Sequence, residues 1–129
     1  RAAAYEANLA ALRSAVELYR QQHAAYPGAV AATAATCVNG TNETAAAGSA
    51  SFVVQMTRYT NMQGQACTGT DGTLNGPYIP EIPPNTRIAT VADQTKVKIV
   101  SAGILDPAPD GTTGWVFDTV TGQLLPNDN

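Results

Sequence analysis

The sequence predicts a single α+β domain in which one long N-terminal helix packs on a small antiparallel β-sheet, joined by a loop-rich, disulfide-tethered middle. Three observations carry that expectation. Tyr5, Leu9, Leu12, Val16, Tyr19, His23 and Tyr26 recur in alternating steps of four and three, which lines up one face of a helix. Beyond residue 85 the pattern changes to strand alternation with a tight turn. Between the two lie a pair of cysteines in a stretch with no periodicity. The divisions fall at residues 1–26 for the helix, 27–85 for loops with a short helix, and 86–129 for the sheet.

Alanine fills most of the other positions of the first segment and favours helix. Glu6, Arg13, Glu17 and Arg20 occupy its remaining faces. Pro27 biases Tyr26 away from helical angles and Gly28 follows, so the helix is expected to end near residue 25. No Ser, Thr, Asp or Asn precedes the first turn, and the chain opens on Arg1 rather than Met. A helix that extends further N-terminally, in a protein from which a segment has been removed, is the favoured reading; a frayed surface helix is the other. His23 has no partner motif and reads as a packing or surface residue.

Residues 29–50 are small, polar and aperiodic, an irregular loop tethered at Cys37. Asn39-Gly-Thr and Asn42-Glu-Thr within it match the glycosylation acceptor pattern, which also arises by chance in such composition. "SFVVQMTRYTNMQGQ" is open between strand and helix. Phe52, Gln55 or Met56, and Tyr59 fall at helical spacing, and Ser49 or Ser51 is available as a cap, whereas Val53 and Val54 favour strand. A short second helix is favoured. "CTGTDGTLNGPYIPEIPPN" is an ordered loop by its prolines and glycines, anchored by Tyr78, Ile79 and Ile82.

"TKVKIV" alternates, with Val97 and Ile99 on one face and Lys96 and Lys98 on the other; "RIATV" before it is a weaker strand candidate. In "GWVFDTVTGQLLPN", Trp115 and Phe117 share a face, Asp118 to Gly122 form a hairpin loop, and Leu124 and Leu125 return. The only tryptophan and one of two phenylalanines stand here. An alanine-rich helix needs a sheet face to cover its stripe, and these rings supply the large burial areas it lacks. The expected core is Leu12, Val16, Tyr19, Tyr78, Val97, Ile99, Trp115 and Phe117. An exposed tryptophan that binds a ligand such as a sugar is the alternative.

Charged residues make up only 13% of the 129 residues, at a net charge of -3. That is a poor footprint for nucleic-acid binding, so no such partner is expected. Two cysteines and one histidine exclude a four-ligand zinc site of the usual kind. A Cys37–Cys67 disulfide is favoured over two buried free thiols, and closing that loop stabilises by roughly 3–4 kcal/mol in the chain-entropy model. No apolar run approaches a membrane span. With scattered acids and no nucleophile–base constellation, no enzyme is expected.

Three stretches together resemble the type IV pilin and type II secretion pseudopilin family, truncated before its hydrophobic helix. "LRSAVELYRQQHAAYPG" is similar to the family's helix end with its Tyr-Pro stop. "YTNMQGQ" followed by "GPYIPEIPPN" resembles its Gly-Pro-Tyr loop closing on proline and asparagine, and "GWVFDTVTGQLLPN" its closing hairpin. Their order and spacing carry the likeness over roughly two-thirds of the chain.

The resemblance implies a pilin-like head, a membrane-anchored precursor cleaved by a prepilin peptidase, and N-terminal helices packed in a filament core. It implies self-association, the inner membrane and the pilus or secretion machinery as partners, and a cell-surface or periplasmic place. Tyr5 and Leu9 are then expected to be exposed in this domain and buried between subunits, while Leu12, Val16 and Tyr19 face the domain's own sheet. The central position of the cysteines departs from the pilus type, whose disulfide lies near the C-terminus. Major pseudopilins carry calcium before the last strands. Here Asp106, Asp110 and Asp118 are the available ligands, without a clear match in spacing; three solvated loop acids and no cofactor are the favoured reading, and calcium is the other. A non-polymerised surface adhesive or binding module with the same fold is the second function.

Overall fold

The alanine-rich stretch folds as helix α1 (Ala2–Gln22). The computed structural model describes residues 2–34, 36–70, 72–101, 103 and 109–128. α1 stops before Pro27 acts on it. The His23 ring meets the Tyr19 carbonyl through Nδ1 (2.7 Å) and Arg20 donates to the His23 carbonyl (3.3 Å), so side chains satisfy acceptors at the helix end. Along its inner stripe Tyr5, Leu12, Ala15, Val16 and Tyr19 are buried, with Leu9 partly buried beside them.

Of the two readings of the next apolar segment, the helix forms: α2 (Ser49–Thr57), which buries Phe52, Gln55 and Met56. Burial of the large side chains on one face overrides the strand preference of Val53 and Val54. Neither serine caps it. Gly48 holds the cap position, Ser49 Oγ donates to the Val97 carbonyl (2.7 Å), and Ser51 Oγ donates to the Gly48 carbonyl (3.2 Å).

Strands β1 (Tyr59–Thr60) and β2 (Ala66–Cys67) form a short antiparallel pair. The loop before α2 lies along β2, with Glu43 N bonding the Ala66 carbonyl and Ala66 N the Ala32 carbonyl. Ala32, Ala45 and Ala66 pack there as a small second core. Cys37 and Cys67 form a disulfide that fastens this loop to β2.

"RIATV" is not a strand. Asn85 Oδ1 accepts the Arg87 amide and the Asn85 carbonyl accepts the Ile88 amide, which turns the chain there, and a single 3-10 turn follows at Val91–Asp93. The main sheet comprises β3 (Val97–Val100), β4 (Trp115–Asp118) and β5 (Leu124–Pro126), with β4 in the middle. β4 and β5 are the expected antiparallel hairpin, Phe117 opposite Leu124. β3 runs parallel to β4, Val97 opposite Trp115. Residues 101–114 are long enough to return the chain to the same end of the sheet, which a tight turn cannot do. Every residue of β4 is buried. Trp115, Phe117, Leu124 and Val97 meet α1, α2 and Ile82 in one core, with Tyr78, Ile79 and Ile99 partly buried at its margin.

Candidate functional site

Tyr5 and Leu9, which the resemblance makes the subunit interface, lie where α1 meets the closing hairpin. Trp115 is wholly buried there, and its Nε1–H donates to the Pro83 carbonyl at 2.8 Å. Tyr5 stacks on it with ring centroids 6.1 Å apart and planes 13° from parallel. The Arg87 guanidinium lies 4.5 Å from the centre of the Tyr5 ring and pairs with Asp128 at 2.9 Å. The exposure expected for Tyr5 is therefore corrected: it is 8% exposed. Sequence spacing places Tyr5 on the stripe but gives no sign that Trp115 and Arg87 enclose it. Leu9 is partly buried against the same core, and Asn8 binds the Pro84 carbonyl (2.9 Å).

The motif residues around this junction are backbone clamps. Gly114 lies where two chain segments cross, and a Cβ on it would stand 1.9 Å from the Gln94 carbonyl oxygen. Asn85 and Asn127, both wholly buried, converge on the Gly114 carbonyl, the first through its side-chain amide (2.8 Å), the second through its backbone amide (3.0 Å). Asp118 caps the hairpin loop by accepting the Val120 (2.8 Å) and Thr121 (3.1 Å) amides. Gly122 ends that loop at φ 77°, where the Tyr26 ring lies against it. Both asparagines are visible in the sequence as motif positions, but nothing local marks them as buried.

The calcium candidates do not form a common ligand set among the described residues. Asp106 lies outside them. Asp118 serves the hairpin. Asp110 receives Lys98 Nζ at 2.6 Å on Oδ2, and on Oδ1 the Thr112 amide (3.0 Å), the Thr112 hydroxyl (2.7 Å) and the Asn127 side-chain amide (2.7 Å). Lys98 first, then Thr112, hold the Asp110 carboxyl far below the usual carboxylate range. No group of three or more His, Cys, Asp or Glu side chains suited to a metal occurs among the described residues.

At the other end of α1, His23 is a packing residue. Its ring stacks on Tyr19 (centroids 3.7 Å apart), Tyr78 approaches edge-on, and Nε2 meets the Thr60 hydroxyl at 2.8 Å. If the Tyr19 carbonyl takes the Nδ1 proton, Nε2 accepts from Thr60. A hydroxyl beside an imidazole is the beginning of a nucleophile–base pair. Thr60 is wholly buried, however, so no substrate reaches its oxygen. Burial pushes the His23 pKa down and the Tyr19 phenol well above its ordinary value. The pair joins α1 to β1 structurally. A cleft of about 110 Å³ lies beside the disulfide, lined by Cys37, Asn61, Gln65 and Leu74 among others.

The outer face of α1 is open. Ala7, Ala10, Ala11, Ser14 and Leu18 are exposed, Leu18 at 46%. Arg13 reaches from this side to the Leu124 carbonyl through Nε and a terminal nitrogen (3.1 and 2.8 Å) and covers the edge of β5. No family model, curated protein or solved structure matches the chain.

Proposed function

We propose that this domain is the head of a structural subunit of an extracellular or periplasmic filament, a type IV pilus or a type II secretion pseudopilus. In this reading an apolar helix N-terminal to α1 holds the subunit in the inner membrane and then packs in the filament core, with the pilus or secretion machinery as partner. The observation that carries it is the division of α1. One stripe is spent on the domain's own sheet, and the opposite face, small side chains at Ala7, Ala10, Ala11 and Ser14, stays open. Small side chains let two helices approach closely, which suits lateral packing of subunits. The order of the three motif stretches and the clamp roles of Gly114, Asn85 and Asn127 are consistent with it.

The test is immunoelectron microscopy of the native host with antibodies against the folded domain, on the wild type and on Ala11→Glu. Labelled filaments in the wild type, lost in a variant whose domain melts normally, are expected. Surface label without filaments in the wild type would favour the non-polymerised module instead.

A further inference from the structure

We propose that the Lys98 ammonium takes at Asp110 the part that calcium plays before the last strands of major pseudopilins, so that β3, the approach to β4 and the end of β5 are tied together without a divalent cation at Asp110. Lys98 stands on β3, Asp110 on the approach to β4, and Asn127 just after β5. Their contacts tie together segments belonging to all three strands of the sheet. Asp110 gives one oxygen to the Lys98 ammonium and the other to three N–H or O–H donors. Asn127 completes the closure, its Oδ1 accepting the Asp110 amide (2.9 Å) and its carbonyl accepting the Gly111 amide (2.7 Å).

Calcium needs six to eight oxygen ligands with lone pairs aimed at the ion from about 2.3–2.6 Å. Asp110 aims its oxygens at donors already, and a cation beside Oδ2 would face the ammonium's positive charge. Asp118, wholly buried, spends Oδ1 on the hairpin amides. The charge that a metal would bring to the loop is thus carried by the chain itself. The cost is sensitivity to ionic strength, because Lys98 and Asp110 are 42% and 35% exposed and salt screens such a pair.

Thermal melts and hydrogen exchange of the 129-residue chain test this. With calcium at about 5 mM, above the range of weak extracellular sites, and with chelator, the wild-type midpoints should agree within about 1 °C. Lys98→Met should lower the midpoint by roughly 2–4 °C and speed amide exchange over residues 109–114. Lys98→Arg, which keeps the charge, should restore most of that protection. A wild-type midpoint that rises by more than about 3 °C in calcium and falls back in chelator overturns the proposal. So does unchanged exchange over 109–114 in Lys98→Met. Should that variant not fold, the wild-type comparison between calcium and chelator decides alone.

Discussion

Trp115→Ala should remove more stability than any other single truncation in the closing hairpin. The indole is wholly buried, stacks on Tyr5, and belongs to the cluster that joins α1 to the sheet. Truncating a buried large aromatic costs about 3–5 kcal/mol, a transfer loss plus a cavity that the rigid surroundings refill only partly. Tyr5 then loses its stacking partner while Arg87 still lies over its ring, and the Pro83 carbonyl loses its donor. Trp115→Phe separates these contributions. It keeps most of the ring and loses the hydrogen bond, so about 1–2 kcal/mol is expected. For a domain of this size the alanine variant should melt roughly 10 °C or more below the wild type.

Urea unfolding followed by far-UV circular dichroism is the suitable assay, because Trp115 is the only tryptophan and indole fluorescence disappears in both variants. In the wild type that lone fluorophore should emit at the short wavelengths of a buried indole and shift to the red on unfolding. A loss below about 1 kcal/mol for Trp115→Ala would refute the structural role of the ring. Equal losses for alanine and phenylalanine would place the whole effect in the Nε1–H bond to Pro83.

Reduction of Cys37–Cys67 should lower stability by roughly 3 kcal/mol, since it frees a loop with a sequence separation of 30, and unfolding with and without reductant measures it. Gly114→Ala should cost at least about 2 kcal/mol, because the new methyl meets the Gln94 carbonyl and not a flexible side chain; a near-neutral urea midpoint would contradict the crossing. His23 has a lowered pKa, caused first by burial, so the unfolded chain takes the proton more readily. Stability should be complete above the ordinary value of 6.5 and fall as pH drops through it toward the lowered one, and His23→Gln should flatten that slope. Asp110, its carboxyl held below the ordinary value first by Lys98, acts in a separate window below about pH 4, where stability falls as pH drops.

The long helix and the closing hairpin were legible because their signals are local. A 4-3 spacing can be satisfied only by one face of a helix, and an Asp-to-Gly turn between apolar pairs only by a tight reversal. The second helix was ambiguous for a physical reason. Val53 and Val54 prefer strand, and the packing of Phe52 and Met56 against Phe117 and the core decides the matter from outside the segment. The parallel course of β3 beside β4 is a long-range pairing, which no strand pattern encodes. Lys98 and Asp110 stand 12 positions apart and meet only once β3 and β4 are in register. Strand alternation puts Lys98 on the face opposite Val97 and leaves Asp110 a loop acid; the contact between them has no signature in either segment.

Tyr5 shows how such a long-range contact changes the functional reading. The resemblance makes it a filament residue exposed in the free domain, but the ring is enclosed by Trp115 and Arg87 within the domain. A charge at Tyr5 would leave an ion in the core and weaken the fold, so lost filaments in such a variant would not identify an interface. Leu9, partly buried on the same core, has the same defect in milder form. Ala10 and Ala11 do not: they are exposed, and a larger side chain there meets solvent in the free domain. If α1 is where subunits meet, its Ala7–Ala10–Ala11–Ser14 face is the part that can be blocked without unfolding the head. That face, rather than Tyr5 and Leu9, is where the proposed function is decided.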